Sequence, residues 1–274
     1  MNPKLIFWFN DHLPLLGLPK ILQEKYNFDV YAILDVADKH KKFFQEQKLI
    51  KFSKIWYFHD YISKTAEKPD TEYLKLIEKK YKVDLGLLAS NDRFFNKFNE
   101  FYKFSPDEIL LILEQECKLF EKILDELKPD FIIMTITNVH HDHLFYKICQ
   151  ARGVKILILW QSNLRGRYTI SSRIDLIDHA EYNEKHNFGS FSEIQNYIKK
   201  YDTTALIIAH TKTFQNSKIK YLQSALKYLF SDNSNVKTHF TYYGRTKFSV
   251  LRKTLINEIK KKYRQYFINK NLIR

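Results

Sequence analysis

Short apolar runs alternate with longer amphipathic stretches along the first 160 residues of the chain. The apolar runs span 4–9, 28–34, 54–58, 131–137 and 155–160. Polar residues follow each run, and the segments between the runs place apolar residues at helical spacing. Short buried runs separated by helices are typical of βαβ units with parallel strands. The pattern therefore predicts an α/β fold, with a Rossmann-like, mainly parallel sheet and helices on both of its faces.

Two runs near the middle of the chain, 131–137 and 155–160, give the clearest prediction. A helical stretch from 144 to 152 separates them, so the two strands should be parallel and adjacent. Polar corners follow both strands, at 138–143 and at 161–167. In open α/β sheets, ligands bind beyond the carboxyl ends of the strands. We therefore expect the functional site at these two corners.

The longest predicted helix begins at Pro106 and runs to about residue 127. Ser105 precedes it as a capping residue, and proline suits the first helical position. Further helices are predicted wherever apolar residues recur at helical spacing, over 16–25, 39–47, 71–81, 191–200, 204–210 and 219–230. Residues 85–93 form a less regular passage from apolar to polar, and 168–172 is predicted as a further strand.

Three parts of the chain follow from this pattern. Residues 1–172 form a Rossmann-like domain, and 173–244 form a helical extension that completes it. Residues 245–274 form a basic amphipathic tail, because they hold ten Lys or Arg against the single Glu258. These thirty residues thus account for +9 of the net charge of +14.

The predicted tail helix leaves three interpretations open. It places five apolar residues on one side, namely Val250, Leu251, Leu255, Ile256 and Ile259. That side could pack on the body of the protein, or the helix could bind an anionic membrane surface through its lysines. Nucleic-acid binding is the third interpretation and is not favoured, because the tail holds few aromatic residues and no recognised binding module.

The two cysteines, Cys117 and Cys149, lie in apolar helical patterns. They make neither a disulfide framework nor a zinc signature, which suits a reducing cytosol. The apolar run after Met1 is too short for a signal peptide, and no segment reaches the roughly 18 apolar residues of a membrane span. We expect a cytoplasmic protein, with peripheral attachment to the inner face of the cytoplasmic membrane as an additional possibility.

Five stretches resemble a known family in their order along the chain. They are Asn91-Asp92-Arg93, Phe104-Ser105-Pro106-Asp107-Glu108-Ile109, Lys128-Pro129-Asp130, Ala151-Arg152-Gly153-Val154 and Arg165-Gly166-Arg167-Tyr168. Over roughly residues 3–200 the chain resembles the amino-terminal half of bacterial capsule or surface polysaccharide biosynthesis proteins. The resemblance implies a glycosyltransferase of GT-B type, in which a first domain holds the acceptor and a second domain binds a nucleotide-sugar donor.

The resemblance implies that residues 1–172 are the acceptor-side domain, a single GT-B-type half. The chain ends where the donor domain would begin, and it holds no Gly-rich phosphate loop. Activity of this chain alone is therefore left open, with a separate donor-domain chain as an expected partner. The donor would be a nucleotide sugar, the acceptor a glycan or lipid-linked sugar, and no other cofactor is expected. The alternative is a non-catalytic glycan-binding or scaffold protein of the same machinery.

The resemblance makes His12 the candidate general base, because some GT-B transferases that use small acceptors place a general-base histidine on the loop after the first strand, where His12 lies. An imidazole with its ordinary pKa of about 6.5 accepts a hydroxyl proton near neutral pH. A carboxylate behind the ring would fix its tautomer, and Asp142 or Asp11 could provide it. The simpler interpretation is that His12 caps the next helix or faces solvent.

The corner His140-His141-Asp142-His143 has two interpretations. A metal site would require ligands three or four residues apart on a helix, which His140 and His143 just provide. We expect no metal here. Instead, Asp142 should cap the helix that follows, and His140 and His141 should line a polar substrate pocket with Asn138.

The remaining candidate substrate-binding residues come from other strand ends. Arg165 and Arg167 could hold a phosphate or a sugar carboxylate bidentately, although surface arginines in a loop are an equal alternative. The other candidates are polar residues of the same corners and of one turn, namely Asn10, Asp11, Asn91, Arg93 and Asn163. For Asn91-Asp92-Arg93 an internally paired turn is the first expectation.

Overall fold

A computed structural model describes residues 2–10, 13–36, 41–65, 67–98, 100–161, 168–176, 178, 189–200, 222–223, 226, 229–230, 240 and 243–271. Six strands form one sheet, and they are β1 (Lys4–Phe9), β2 (Asp29–Leu34), β3 (Lys54–Tyr57), β4 (Phe131–Thr135), β5 (Lys155–Gln161) and β6 (Tyr168–Ser171). The described α-helices are α1 (Gly17–Lys25), α2 (Lys41–Glu46), α3 (Thr71–Tyr81), α4 (Leu85–Asn91), α5 (Pro106–Leu127), α6 (His140–Ala151), α7 (Phe191–Lys200) and α8 (Lys247–Asn271).

The order of strands across the sheet is β3-β2-β1-β4-β5-β6. The first five strands pair in parallel, and β6 pairs antiparallel with β5. The predicted adjacency of β4 and β5 is confirmed, with Phe131 opposite Lys155 and Thr135 opposite Leu159. The chain runs outward from β1 through β2 to β3, then crosses back to β4 on the other side of β1 and continues outward to β5 and β6. The direction in which strands are added therefore reverses at the β1/β4 pair. This pair is the switch point of the sheet.

The sheet separates two hydrophobic cores, which confirms the prediction of helices on both faces. Alternate side chains of β1 enter opposite cores because successive residues of a strand point to opposite faces. Phe7 and Phe9 pack in the core that holds Phe44 of α2, whereas Ile6 and Trp8 pack in the core that holds α5 and α6. Every one of these β1 side chains is at most 1% exposed.

The start of α5 is fixed by the predicted cap. The Ser105 hydroxyl accepts a hydrogen bond from the backbone N–H of Glu108, and the Glu108 carboxylate accepts one from the N–H of Ser105. The buried face of α5 repeats every three or four residues through Leu113, Cys117 and Phe120. That packing sets the rotation of the helix, which turns Glu116 inward as well.

One predicted irregular stretch and one predicted helix start are wrong. Residues 85–91, expected to be irregular, form α4, because the Asp84 side chain caps the helix by accepting from the N–H of Leu87. Helix α6 begins at His140 instead of Leu144, so the four-residue block His140-His141-Asp142-His143 is its first turn. Asp142 therefore stands inside the helix and is not the residue that precedes it. The helix predicted over 204–210 lies outside the described residues.

Residues late in the chain pack in the core that holds α5 and α6. Phe240 is fully buried, and Tyr243 packs against the same core. Helix α8 forms where a tail helix was predicted, but none of its residues is buried, so its apolar side does not enter either core. Within the described ranges, no helix has both the length and the apolar composition that a bilayer span requires.

Candidate functional site

The switch point of the sheet carries a polar pair on its carboxyl edge. Asn10 follows β1, and its amide Nδ2 donates to the Oγ1 of Thr135, the last residue of β4, over 2.9 Å. Both side chains are half-buried, and Asn138 is exposed a few residues further along. Crevices at this place in open α/β sheets are the usual ligand sites. Asn10 and Asn138, both predicted as substrate contacts, are therefore located at that edge.

Asp142 fixes the loop between β4 and α6. Its carboxylate accepts hydrogen bonds from the backbone N–H groups of Asn138 at 2.9 Å and Val139 at 3.1 Å. Carboxylates in the first turn of a helix are also favoured by the helix dipole. Burial raises the pKa of the Asp142 carboxyl to about 6, against the opposing effect of these donors and of His141. Both oxygens thus hold backbone at the carboxyl edge.

His140, the first residue of α6, lies fully buried between two carboxylates. Its Nδ1 is 2.6 Å from Oδ2 of Asp92, and its Nε2 is 2.9 Å from Oε1 of Glu116. The rings of Phe95 and Phe240 cover it, with centroids 4.7 and 5.5 Å away. Burial favours the neutral imidazole, but the charge of Glu116 and the bond to Asp92 outweigh it and raise the pKa of His140 to about 10.

Asp92 is the counterpart of that histidine. It also accepts from the backbone N–H of Phe94 at 2.6 Å, so its two oxygens are both occupied. Burial acts to raise the pKa of Asp92, but the hydrogen bonds and the charge of His140 prevail and lower it to about 2. Asp92 therefore pairs with His140 of α6 and with Phe94, in place of the internal pairing expected at residues 91–93.

His141 makes a second pair with the end of β2. Its Nε2 lies 2.6 Å from Oδ2 of Asp35, and its ring stacks on Phe58 with centroids 4.8 Å apart. Nδ1 of His59 is 4.0 Å from the other oxygen of Asp35. Burial opposes a charge on His141, but Asp35 overcomes it and raises its pKa. Asp35 directly follows β2 and its side chain is 10% exposed, so it lies between the buried histidines and the carboxyl edge of the sheet.

The arrangement is a buried network of three carboxylates and at least two imidazoles beneath the switch point. We refer to Asp35, Asp92, Glu116, His140 and His141 as the histidine–carboxylate cluster. Charges buried in this way persist only when they are paired and hydrogen-bonded. The cluster can hold protons or a cation, and it fixes the position of the loops that begin at the carboxyl ends of β2 and β4.

Burial corrects the expectation for His140 and His141. They are 3% and 2% exposed, so they are enclosed in the core and do not line an open pocket. Asn91 and Arg93 are exposed on either side of buried Asp92. The predicted residues Asp11, His12, Asn163, Arg165 and Arg167 lie outside the described residues.

Sequence reasoning missed Glu116 and did not assign Asp35 a role. The sequence did contain a signal for Glu116, because this residue falls on the apolar stripe of α5 beside Leu113 and Cys117. In the structure Glu116 is fully buried. A charged residue in such a register requires a buried partner. Asp35 stands directly after β2, in the same kind of corner as the residues that were chosen.

A shallow cavity of about 240 Å³ lies at the β5/β6 edge of the sheet. Its lining includes Trp160, which is 48% exposed, and Thr169. Arg173 and Asp175, which form an ion pair over 2.6 Å, complete its polar side. An exposed indole beside charged and hydroxyl groups gives this cavity both an apolar and a polar wall.

No family model matches the chain, and no curated protein matches it. Among solved structures, a UDP-N-acetylglucosamine 2-epimerase is similar with a TM-score of 0.31 and 10% sequence identity. The similarity covers 61% of this chain and 35% of that chain, so the chain spans about a third of the epimerase. We transfer neither activity nor substrate from it.

Proposed function

We propose that this protein is a carbohydrate-binding α/β module that supplies the acceptor-side domain for sugar transfer in surface polysaccharide synthesis. The observation that carries the proposal is the Asn10–Thr135 pair on the carboxyl edge of the switch point. An amide and a hydroxyl at that place offer donors and acceptors that suit sugar hydroxyls. The choice of surface polysaccharide synthesis as the pathway is supported by the resemblance of the five sequence stretches.

The cavity beside Trp160 supports a glycan as the ligand. Its lining runs along one face of β5 and β6, from Trp160 and Thr169 to the residues that follow β6. Trp160 offers a flat apolar surface, and Arg173 offers charged donors at its rim. Concave sites of this kind combine an apolar wall for contact area with a few polar groups for orientation.

In the mechanism we propose, His12 removes the proton from an acceptor hydroxyl. Arg165 and Arg167 stabilise negative charge on the phosphate of the donor or on an acidic acceptor. Asp142, through its hold on the β4–α6 loop, keeps the corner in place. A nucleotide sugar bound by a partner chain would supply the glycosyl group.

Attachment to an anionic membrane surface is a further part of the proposal. Every residue of α8 from Leu255 to Asn271 is exposed, including the run Lys260-Lys261-Lys262. The exposed apolar residues Ile259 and Tyr263 flank this run of lysines. Basic helices with exposed apolar residues bind anionic lipid surfaces. A lipid-linked acceptor would then lie close to the protein.

The proposal is tested by thermal-shift and calorimetric titration of the purified chain with nucleotide sugars, free nucleotides and acidic oligosaccharides. A ligand at 100 times its dissociation constant raises stability by about 2.7 kcal/mol. Asn10→Ala and Trp160→Ala should each remove the stabilisation by the oligosaccharide, whereas Tyr26→Ala, at an exposed aromatic distant from the edge, should keep it. Oligosaccharide binding that survives both substitutions would refute the site.

Catalysis is tested separately from binding. His12→Ala and the double variant Arg165→Ala/Arg167→Ala are compared with the wild type for sugar transfer in the presence of the partner chain. Retained glycan binding with no transfer by the wild type would favour the alternative, a non-catalytic glycan-binding or scaffold protein. Loss of transfer in His12→Ala with retained binding would support the role of the base.

A further inference from the structure

Three fully enclosed side chains bring ligand atoms together beneath the switch point. Glu116 from α5 and His140 and His141 from α6 each offer one atom, and these atoms all lie within 4.8 Å of one another. The side chains of Glu116 and His140 are 0% exposed and that of His141 is 2% exposed. Imidazole nitrogens and a carboxylate are the donor types of His₂Glu metal sites.

Each histidine ring is oriented by a carboxylate on its far nitrogen. Asp92 lies 2.6 Å from Nδ1 of His140, and Asp35 lies 2.6 Å from Nε2 of His141. Histidines that bind metal typically donate their second N–H to such a carboxylate, which fixes the tautomer and increases the basicity of the ligating nitrogen. Both rings of the cluster show this arrangement. The nitrogens that remain are Nε2 of His140 and Nδ1 of His141.

Two of the candidate ligand atoms lack a hydrogen-bond partner among the described residues. Nδ1 of His141 and Oε2 of Glu116 are buried and have no hydrogen-bond partner among the described residues. Oε1 of Glu116 is 2.9 Å from Nε2 of His140. Buried polar atoms without a partner are rare, and an ion that the structure does not contain is one of the standard explanations. Two such atoms in adjoining side chains point to the same ion.

We propose that Glu116, His140 and His141 bind one divalent transition-metal ion, with Zn²⁺ as the first choice, at a buried structural site. Nε2 of His140, Nδ1 of His141 and one oxygen of Glu116 provide three donor atoms, and a water molecule would take the fourth position of the tetrahedron. Ligands of a tetrahedral zinc ion stand about 3.4 Å apart, so on binding the widest separation closes by at most about 1.4 Å and the 2.9 Å distance from His140 to Glu116 opens by about 0.5 Å. The ion takes the place of the proton between His140 and Glu116, which passes to solvent.

The charge of the site suits such an ion. With a proton between His140 and Glu116, the three carboxylates of the cluster, on Asp35, Asp92 and Glu116, still exceed the positive charge of the imidazoles. A divalent cation in place of that proton adds one further positive charge. Imidazole ligands favour zinc and its neighbours over Mg²⁺ and Ca²⁺, which take oxygen ligands. The bound ion would tie α5 to α6 and leave the carboxyl edge free for substrate.

The first experiment measures metal in the wild-type full chain purified without chelator. Elemental analysis should find about one zinc per chain, and replacement by Co²⁺ should give the intense visible absorption of a four- or five-coordinate site. X-ray absorption at the zinc edge should report two imidazoles and one carboxylate. Absence of stoichiometric zinc or cobalt after incubation and gel filtration, or a hexa-aqua-like cobalt spectrum, would overturn the proposal.

Variants assign the ligands. Glu116→Gln keeps the shape of the side chain but removes its charge, and it should weaken zinc binding more than about 100-fold, beyond the range expected for an outer partner. Asp92→Asn should weaken it by about 10- to 100-fold. The control is His143→Gln, because His143 contacts Thr137 and stands outside the cluster. Undiminished zinc affinity in Glu116→Gln, or loss of zinc in His143→Gln, would contradict the assignment. If Glu116→Gln fails to fold, the wild-type spectra decide.

Discussion

One oxygen of Asp92 holds both the ring and the backbone of His140. Oδ2 lies 2.6 Å from the ring Nδ1 and 2.8 Å from the backbone nitrogen of the same residue. The second oxygen accepts from the N–H of Phe94. A single carboxylate thus joins the segment after α4 to the first turn of α6. Asp92 and His140 are 48 residues apart in the chain.

Removing that carboxylate should destabilise the protein strongly. Asp92→Ala leaves the buried ring of His140 and its backbone N–H without this acceptor, and loss of one partner of a buried ion pair costs about 3–5 kcal/mol. Urea denaturation measures the effect. Glu46→Ala is the control, because its pair with Lys42 is exposed and should contribute less than about 1 kcal/mol. A loss below about 1 kcal/mol for Asp92→Ala would show that the contact is not maintained in solution.

Acid should weaken the fold through Glu108, at the start of α5. Burial acts to raise the pKa of this carboxyl, but the N–H of Ser105, the hydroxyl of Tyr102 and Lys64 outweigh it and lower the pKa from 4.5 to about 2. Because the folded pKa lies below the ordinary value, the contribution of Glu108 is complete above about pH 4.5. It is lost as the pH falls towards about 2.

The variant Glu108→Gln tests this prediction. Glutamine can keep the reciprocal cap with Ser105 but does not titrate, so the free energy of unfolding should fall less steeply between about pH 4.5 and about pH 2. Glu72→Gln, on an exposed side chain, should retain the wild-type pH dependence. Chemical denaturation at a series of pH values gives the slopes. Equal slopes for wild type and Glu108→Gln would refute the role of Glu108.

Substitution of alanine for two glycines with positive φ should reduce the free energy of unfolding by different amounts. Gly153 has a φ of +70° and Gly244 has a φ of +73°. A Cβ on Gly153 would meet nothing, whereas a Cβ on Gly244 would collide with the carbonyl of Phe101. Gly153→Ala should therefore cost about 1–2 kcal/mol for the backbone alone. Gly244→Ala should cost a further 1–3 kcal/mol or so for the clash.

Thermal unfolding of the two glycine variants provides the comparison. The larger loss in Gly244→Ala would show that the segment before α8 packs against Phe101 in solution. Equal losses in the two variants would show that this contact is not formed. Circular dichroism of both proteins at low temperature confirms that the helices are present before unfolding.

Helix α8 should bind vesicles that contain anionic lipid. Substituting Lys260, Lys261 and Lys262 by Gln should weaken binding by about 3 kcal/mol, since each lysine near an anionic surface contributes about 1 kcal/mol. The same change at exposed Lys48, Lys51 and Lys68 should have little effect. Co-sedimentation at low and high salt measures both. Equal binding to neutral vesicles, or no effect of the α8 substitutions, would contradict the prediction.

The sheet could be predicted from sequence because each strand is a local signal. All six strands overlap the predicted runs. The parallel direction of the first five strands and the β4/β5 pairing follow from the helices between them, whereas the antiparallel direction of β6 was not predicted. The start of α6 was placed four residues late because its first turn is polar. The signal was nevertheless present, since His140 and His141 continue the buried stripe of Leu144 and Phe145 at a spacing of four.

The cluster itself was beyond local patterns. Glu116 and His140 are 24 residues apart, and His141 and Asp35 are 106 apart. Nothing near a histidine in the sequence indicates which distant carboxylate will face it after packing. Only the inward register of Glu116 on α5 could have indicated that one charge required a buried partner.

Phe240, which covers the histidine–carboxylate cluster, is synthesised well after the residues of the cluster. Its ring covers His140 from a position one hundred residues later in the chain, and the six strands are complete at Ser171. At 5–20 residues per second, Phe240 follows Ser171 from the ribosome after about 3–14 s. During that interval the residues of all six strands have been synthesised, and Phe240 has not. A sheet that forms in this time leaves His140 without the cover of that ring, so the cluster can exchange protons or an ion with the surrounding solution until Phe240 packs against it.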